Sequence, residues 1–218
     1  MNEIFPGIFK KDNKLYTLNS IKNYNPFGEE LININKKQYR NWNPMRSKAA
    51  AAILKGIKIF PIKKGSIVLY LGGAHGYTIS FLSDIIGQQG IIYAIEFSER
   101  CFNELLPIAE KYGNIVPICA DARKIEEYKW IEPVDVIYCD VAQIDQTKIA
   151  IRNAKEFLKK DGYLMISIKT QSIDVTKPAK QIVKQEIKLI EDAGFEIIDW
   201  KMLDPYEAKH GFIVAKQR

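Results

Sequence analysis

Residues 66–71 (SIVLYL) run straight into Gly72-Gly73-Ala74-His75-Gly76-Tyr77-Thr78, and a helical pattern follows over 78–86, where Gly87 stops it. An apolar run of this length suits a parallel strand covered on both faces. Glycines let the chain turn sharply and bring backbone close to a ligand. Strand, glycine turn and helix in this order open a doubly wound sheet, and the downstream chain repeats the rhythm. Strands are predicted at 91–95, 115–119, 134–139 and 163–168, and helices at 100–112, 146–159 and 178–193. The last two strands, 195–203 and 211–215, leave no room for a crossover helix and pair antiparallel. The fold class is α/β: a Rossmann-like, mainly parallel sheet with helices on both faces and an antiparallel last strand.

Upstream the pattern differs. IFPGIFK and KLYTLNS flank a turn-like KDN, LININKKQY alternates apolar and polar residues, and NYNPFG is a turn cluster. These features predict a small antiparallel β module over 1–45, closed by Trp42-Asn43-Pro44, with the larger α/β domain over 46–218. Ser47 caps a helix that begins the larger domain and Gly56 ends it. Trp42 and Tyr39 read as core of the first module rather than as bases' stacking partners.

With 218 residues, 47% of them hydrophobic and 27% charged, the chain has ordinary globular proportions. No apolar run approaches 18 residues, which argues against a membrane span, and the first residues lack the apolar core of a signal peptide. Three widely spaced cysteines, Cys101, Cys119 and Cys139, read as buried thiols in a reducing interior, and two histidines are too few for a multi-histidine metal site. No metal is expected. Residues 1–66 carry 13 Lys and Arg against 4 Asp and Glu, a balance of +9, and the remainder carries 19 against 22, a balance of −3. That asymmetry fits a polyanion on one side of the molecule as well as it fits a solvated lysine-rich surface. The basic stripe over 177–188 has the same two readings.

The carboxyl ends of the strands carry further chemistry. Glu96 ends the second strand of the larger domain, 24 residues after Gly72. A carboxylate there can accept hydrogen bonds from both ribose hydroxyls of a nucleoside. Asp121 ends the third strand, within reach of an adenine edge, and Asp140 ends the fourth, beside the glycine turn. Each acid alone also serves as a helix cap or turn residue. Together they suit an adenosine-bearing cofactor. The turn lacks the GxxxxGK[ST] pattern, which argues against a nucleoside triphosphate and leaves NAD and S-adenosylmethionine.

The blocks NWNPMRSKAAAAILKG, YLGGAHGYTISFLSDIIG, YAIEFSER, DARK, VIYCDVAQIDQT, ISIKTQSID and DPYEAKHGFIVAK occur in this order and resemble the fibrillarin family from about Tyr39 to the C-terminus. The first 38 residues are similar to the N-terminal domain of archaeal members, and no Gly/Arg-rich extension is present. The resemblance implies an S-adenosylmethionine-dependent methyltransferase sheet and the 2′-O-methylation of rRNA and tRNA, with roles in pre-rRNA and tRNA processing. It also implies a particle containing a box C/D guide RNA, a Nop-domain scaffold protein and a kink-turn-binding ribosomal-type protein, in an archaeal cytoplasm. Carried residue by residue, it implies that Gly72, Ala74, Gly76, Tyr77 and Thr78 hold the methionine part of the cofactor. Glu96 then takes the ribose with Phe97 beside the adenine, Asp121 and Ala122 meet the adenine, and Asp140, Val141, Ala142 and Gln143 line the sulfonium end. Tyr77 replaces a small hydroxyl residue of the family, and His75 is also unusual.

Ribose methylation needs alignment and removal of the hydroxyl proton. Lys48, Asp140 and Lys169 are the candidate catalytic residues, with His210 as a fourth. A lysine partly desolvated near another cation has a lowered pKa, so Lys169 can act as base or position the hydroxyl, with Asp140 orienting the lysines. Related 2′-O-methyltransferases use Lys-Asp-Lys-Glu, and no glutamate equivalent is evident in this chain. Two other readings remain: a non-enzymatic assembly protein built on the same fold, and a methyltransferase acting on small molecules or proteins. Intact Asp140 and Lys169 disfavour the former, and the basic first third disfavours the latter.

Overall fold

The computed structural model describes residues 1–217. The first 42 residues form five antiparallel strands: β1 (Asn2–Phe5), β2 (Ile8–Lys11), β3 (Lys14–Leu18), β4 (Leu31–Ile34) and β5 (Lys37–Trp42). They lie in the order β1-β2-β3-β5-β4. Two-residue turns set the register. Asp12-Asn13 joins Lys11 to its partner Lys14, and Asn35-Lys36 joins Ile34 to Lys37. All four turn residues have φ between 49° and 64°, the left-handed conformation that tight hairpins demand and that Asn and Asp tolerate.

The second sheet has seven strands in the order β11-β12-β10-β9-β6-β7-β8. These are β6 (Ile67–Leu71), β7 (Ile91–Glu96), β8 (Ile115–Cys119), β9 (Val134–Cys139), β10 (Leu158–Lys169), β11 (Phe195–Met202) and β12 (His210–Gln217). Strands β8, β7, β6, β9, β10 and β11 run in one direction, and β12 alone is reversed, antiparallel to both its neighbours β10 and β11, so the Rossmann-like reading holds. Alternate residues of each strand feed two cores. Val68, Tyr70, Val136 and Tyr138 pack under α1 (Lys48–Leu54), α2 (Tyr77–Ile86) and α3 (Glu99–Tyr112). Leu69, Leu71, Ile137 and Cys139 pack under α4 (Gln146–Phe157) and α6 (Ala179–Asp192). A single-turn α5 (Thr170–Ile173) follows β10. Among the described residues no helix is long and apolar enough to cross a membrane.

The two sheets share one core. Trp42 is fully buried and stacks on Phe81 of α2, with centroids 5.2 Å apart and planes at 10°. Beside it, Arg40 is fully buried. Its Nη1 donates to Glu29 Oε1 at 3.0 Å and its Nη2 to Asp84 Oδ2 at 2.8 Å, while its guanidinium lies 3.9 Å from the centre of the Phe81 ring. Tyr39 is buried too. Trp42 and Tyr39 are therefore core residues, and one cation of the basic first third is internal.

Two expectations are corrected. Helix α4 stops at Phe157 rather than Lys159, and β10 begins at Leu158, which pairs with Val134 before the strand slips and pairing resumes at Tyr163. Asp161 sits at φ 63° in that irregular stretch, in an Asp-Gly pair of the kind that marks a turn. Cys119 is exposed and Cys101 half-buried; Cys139 alone is the buried thiol expected. Cys119 is the last residue of an edge strand, so no further strand covers it.

Candidate active site

The order of parallel strands reverses at β6, whose neighbours are β7 and β9. Chains leaving the two sides of such a point diverge, and a crevice opens beyond the strand ends. A cleft of about 190 Å³ lies there. Gly72, Ala74, Glu96, Phe97, Asp121, Ala122 and the segment from Asp140 to Gln143 line it. Gly76, Tyr77 and Thr78 do not.

The glycine turn is held tightly. The N–H groups of Gly72 and Gly73 both donate to Ile95 O, at 2.9 and 3.0 Å. Gly72 sits at φ 86°, and a Cβ on it would lie 3.0 Å from Asp140 O. A side chain there would push the turn after β6 away from the turn after β9, so glycine is required by both conformation and space.

Glu96 is buried, yet its carboxylate faces the cleft. One oxygen accepts the Ala74 N–H at 2.8 Å and the other the Ser98 N–H at 2.8 Å. These bonds fix the carboxylate and leave acceptor capacity for vicinal hydroxyls. Next to it Phe97 is 64% exposed, an aromatic face without a protein partner across the cleft. Across from them, Ala122 O accepts from Tyr128 Oη at 3.0 Å and Asn153 Nδ2 at 2.9 Å. This pins the turn that carries Asp121. A flat base between Phe97 and that turn, with its ribose on Glu96, fits these donors and acceptors.

At the other end, Lys48 Nζ lies 3.1 Å from Asp140 Oδ1 and 3.2 Å from Oδ2. Ser47 caps α1 and touches Thr78 Oγ1 at 3.0 Å, locking the start of α1 to the start of α2. That contact brings Lys48 to the cleft. Burial would lower the Lys48 pKa, but the Asp140 carboxylate and, more weakly, Glu207 outweigh it and raise it above its ordinary value of 10.5. Lys48 is thus a fixed cation. Glu207 also supplies a carboxylate near the lysine, one that the sequence alone does not reveal.

Lys169 ends β10, adjacent to β9 as expected, and is paired across β12 with His210. Strand alternation puts both on the face of Tyr138 and α1. The structure does not join them to the Lys48–Asp140 pair by hydrogen bonds: no ion pair of Lys169 occurs among the described residues, and His210 Nδ1 faces Ala208 O at 2.9 Å. Tyr77 turns away from the cleft. Its hydroxyl accepts the Asn43 N–H at 3.3 Å and its ring lies under Arg46 at 4.3 Å. His75 contacts Glu104 at 2.7 Å.

Sequence reasoning missed Arg123. Its guanidinium donates to Asp145 at 2.6 and 3.1 Å and to Gln143 Oε1 at 3.2 Å, tying two walls of the cleft together. Its place in the DARK block was the available signal.

The model of the fibrillarin family matches residues 1–218. A fibrillarin-like rRNA/tRNA 2′-O-methyltransferase of Sulfolobus acidocaldarius is 50% identical over 206 residues, which span 94% of this chain and 89% of its own. The crystal structure of Aeropyrum pernix fibrillarin with natively bound S-adenosyl-L-methionine is 41% identical, with a TM-score of 0.89, covering 98% of this chain and 96% of its own. The fibrillarin of a fibrillarin/Nop5p complex is 38% identical, with a TM-score of 0.90, and the two chains cover each other completely. A full-length family match, joined to half-identical sequence and TM-scores of 0.89 and 0.90 over nearly the whole chain, makes the assignment direct: the chain belongs to the fibrillarin family.

Proposed function

We propose that the protein transfers a methyl group from S-adenosylmethionine to ribose 2′-oxygens of rRNA and tRNA. A box C/D guide RNA selects the nucleotides, within a particle that also contains a Nop-domain scaffold protein and a kink-turn-binding ribosomal-type protein. The observation that carries this reading is the Lys48–Asp140 pair at one end of a cleft whose other end presents Glu96 and Phe97. The relatives' described activity and the scaffold in the complex support the substrate and partner assignment. The same reading places the protein in an archaeal cytoplasm and takes residues 1–45 as a β domain that packs on the methyltransferase domain over 46–218.

In this reading Glu96 binds the ribose hydroxyls, Phe97 and the turn at Asp121 and Ala122 hold the base, and the backbone at Gly72 and Ala74 meets the amino-acid end. The bound cofactor supplies a methyl group on a sulfonium, which is a good leaving group. The protein's own work is alignment and proton management. Asp140 orients the Lys48 ammonium, a fixed positive charge able to hold the substrate's oxygens. Lys169 offers its amine to the 2′-hydroxyl, as base or as positioning group, and His210 is its neighbour across the strand pair.

The test is a radiolabelled methyl-transfer assay that compares the protein alone with the protein assembled with scaffold, kink-turn protein and guide RNA. The expected result is site-specific methylation only in the assembly. Site-specific methylation by the isolated chain overturns the guide-dependent reading.

A further inference from the structure

Strand β9 ends at Cys139, paired with Ile166 of β10. Strand β10 continues for three more residues, still paired on its other side with β12 as far as Lys169 and His210. On the β9 side, the end of β10 therefore has no strand to satisfy its backbone. One side chain does so instead. Gln146, fully buried at the first turn of α4, accepts the Lys169 N–H at Oε1, 2.9 Å away, and its Nε2 donates to Lys169 O at 3.3 Å. The same Nε2 donates to Gln143 O at 3.0 Å. The side-chain amide acts as a one-residue strand: both its N–H donors are committed and its oxygen accepts the Lys169 N–H.

Two consequences follow from strand geometry. The N–H and C=O of one strand residue point to the same side, so a Lys169 backbone turned toward Gln146 is turned away from β12. Lys169 and His210 then form a non-hydrogen-bonded antiparallel pair, the kind whose side chains approach more closely. The second bond of Nε2 fastens the loop from Asp140 to Gln143 to the same amide. One buried group thus sets the distance between the loop carrying Asp140 and the residue carrying the proposed amine.

We infer that Gln146 is a positioning residue for methyl transfer, holding Lys169 in register with the Asp140 loop; the inference rests on the catalytic reading of Lys169 given above. It touches neither cofactor nor substrate in this role. A glutamine satisfying only its own helix end would need no bond to Lys169, and a packing residue would be apolar.

The experiment is a double-mutant cycle in the assembled particle, read by single-turnover methylation at saturating RNA and S-adenosylmethionine. Gln146→Met keeps the volume and deletes the three bonds. It is expected to slow the step on the order of 10- to 100-fold while cofactor affinity, measured by calorimetry, stays within about threefold. In a Lys169→Ala background the same change should cost less than about twofold, because a residue acting only through Lys169 has nothing left to position. A normal rate for Gln146→Met, or an equal loss in both backgrounds, overturns the inference. A normal rate for Lys169→Ala alone instead overturns the catalytic reading and is seen separately. Should Gln146→Met not fold, Gln146→Glu carries the test. Its ionised carboxylate repels the two carbonyls, and its protonated form regains a donor, so its rate relative to the unmodified protein should rise as pH falls. A pH-independent ratio overturns the inference.

Discussion

Lys48 Nζ and the Asp140 carboxylate lie 3.1 and 3.2 Å apart, although 92 residues separate them in the chain. One is the first residue of a helix held by its cap to the glycine-turn helix; the other follows the central strand β9. Their side chains are 23% and 16% exposed, so the pair is partly desolvated yet open to a ligand. Partial burial strengthens the mutual attraction and keeps each group oriented.

Lys48→Met should therefore slow single-turnover methylation on the order of 10²-fold, typical of a positioned charge at a reacting centre, with RNA affinity little changed. A loss in RNA binding alone, with the rate intact at saturation, identifies a phosphate clamp instead. The pH sense is determined by the raised pKa. The folded value lies above the ordinary 10.5, so the pair's contribution to stability is complete below that pH and disappears as pH rises through the folded value. Denaturant titrations across the alkaline range measure this.

Glu96→Ala should weaken S-adenosylmethionine binding by roughly 1.5–3 kcal/mol, the worth of hydrogen bonds to a charged acceptor. Calorimetry on the free protein reads this directly. Unchanged affinity removes Glu96 from the ribose site.

Arg40→Met should destabilise the fold by about 3–5 kcal/mol, because it strands two carboxylates in the interior. Glu29 and Asp84 have side chains 2% and 0% exposed, and burial already pushes the Asp84 carboxyl above its ordinary value despite Arg40. Chemical denaturation compares the variant with the unmodified protein. A loss below about 1 kcal/mol, the size of a surface pair, contradicts the clamp between the two sheets.

The thiols should differ sharply. Cys139 is fully buried and its pKa is pushed up to about 12 by that burial, so it should resist thiol reagents at mildly alkaline pH until the protein unfolds. Cys119 is exposed and should react in the native state. Mass spectrometry of the labelled protein assigns each site.

Much of this molecule is written locally. The apolar runs that become β6, β7, β8 and β9, the helices between them, the Asn- and Asp-bearing hairpins and the glycine turn each follow from a few adjacent residues. So does the placement of Glu96, Asp121 and Asp140 at strand ends, because a period-two strand followed by a turn leaves its last residue at the sheet edge. Family membership was legible for the same reason, in ordered blocks of contiguous residues. What the sequence did not contain were relations across the chain. Lys48 and Asp140 are expected to act together, but the 3.1 Å pair forms only after α1 docks, which turns a lysine of a basic stretch into a fixed, oriented cation. Arg40 becomes internal only because Phe81 and Asp84 arrive from α2. Gln146 acquires a partner only where β9 ends before β10. Tyr77 points away from the cleft because Asn43 and Arg46 receive it. Each depends on where separate elements come to rest. Backbone conformation is a property of neighbours in sequence, but desolvation and charge pairing are properties of neighbours in space.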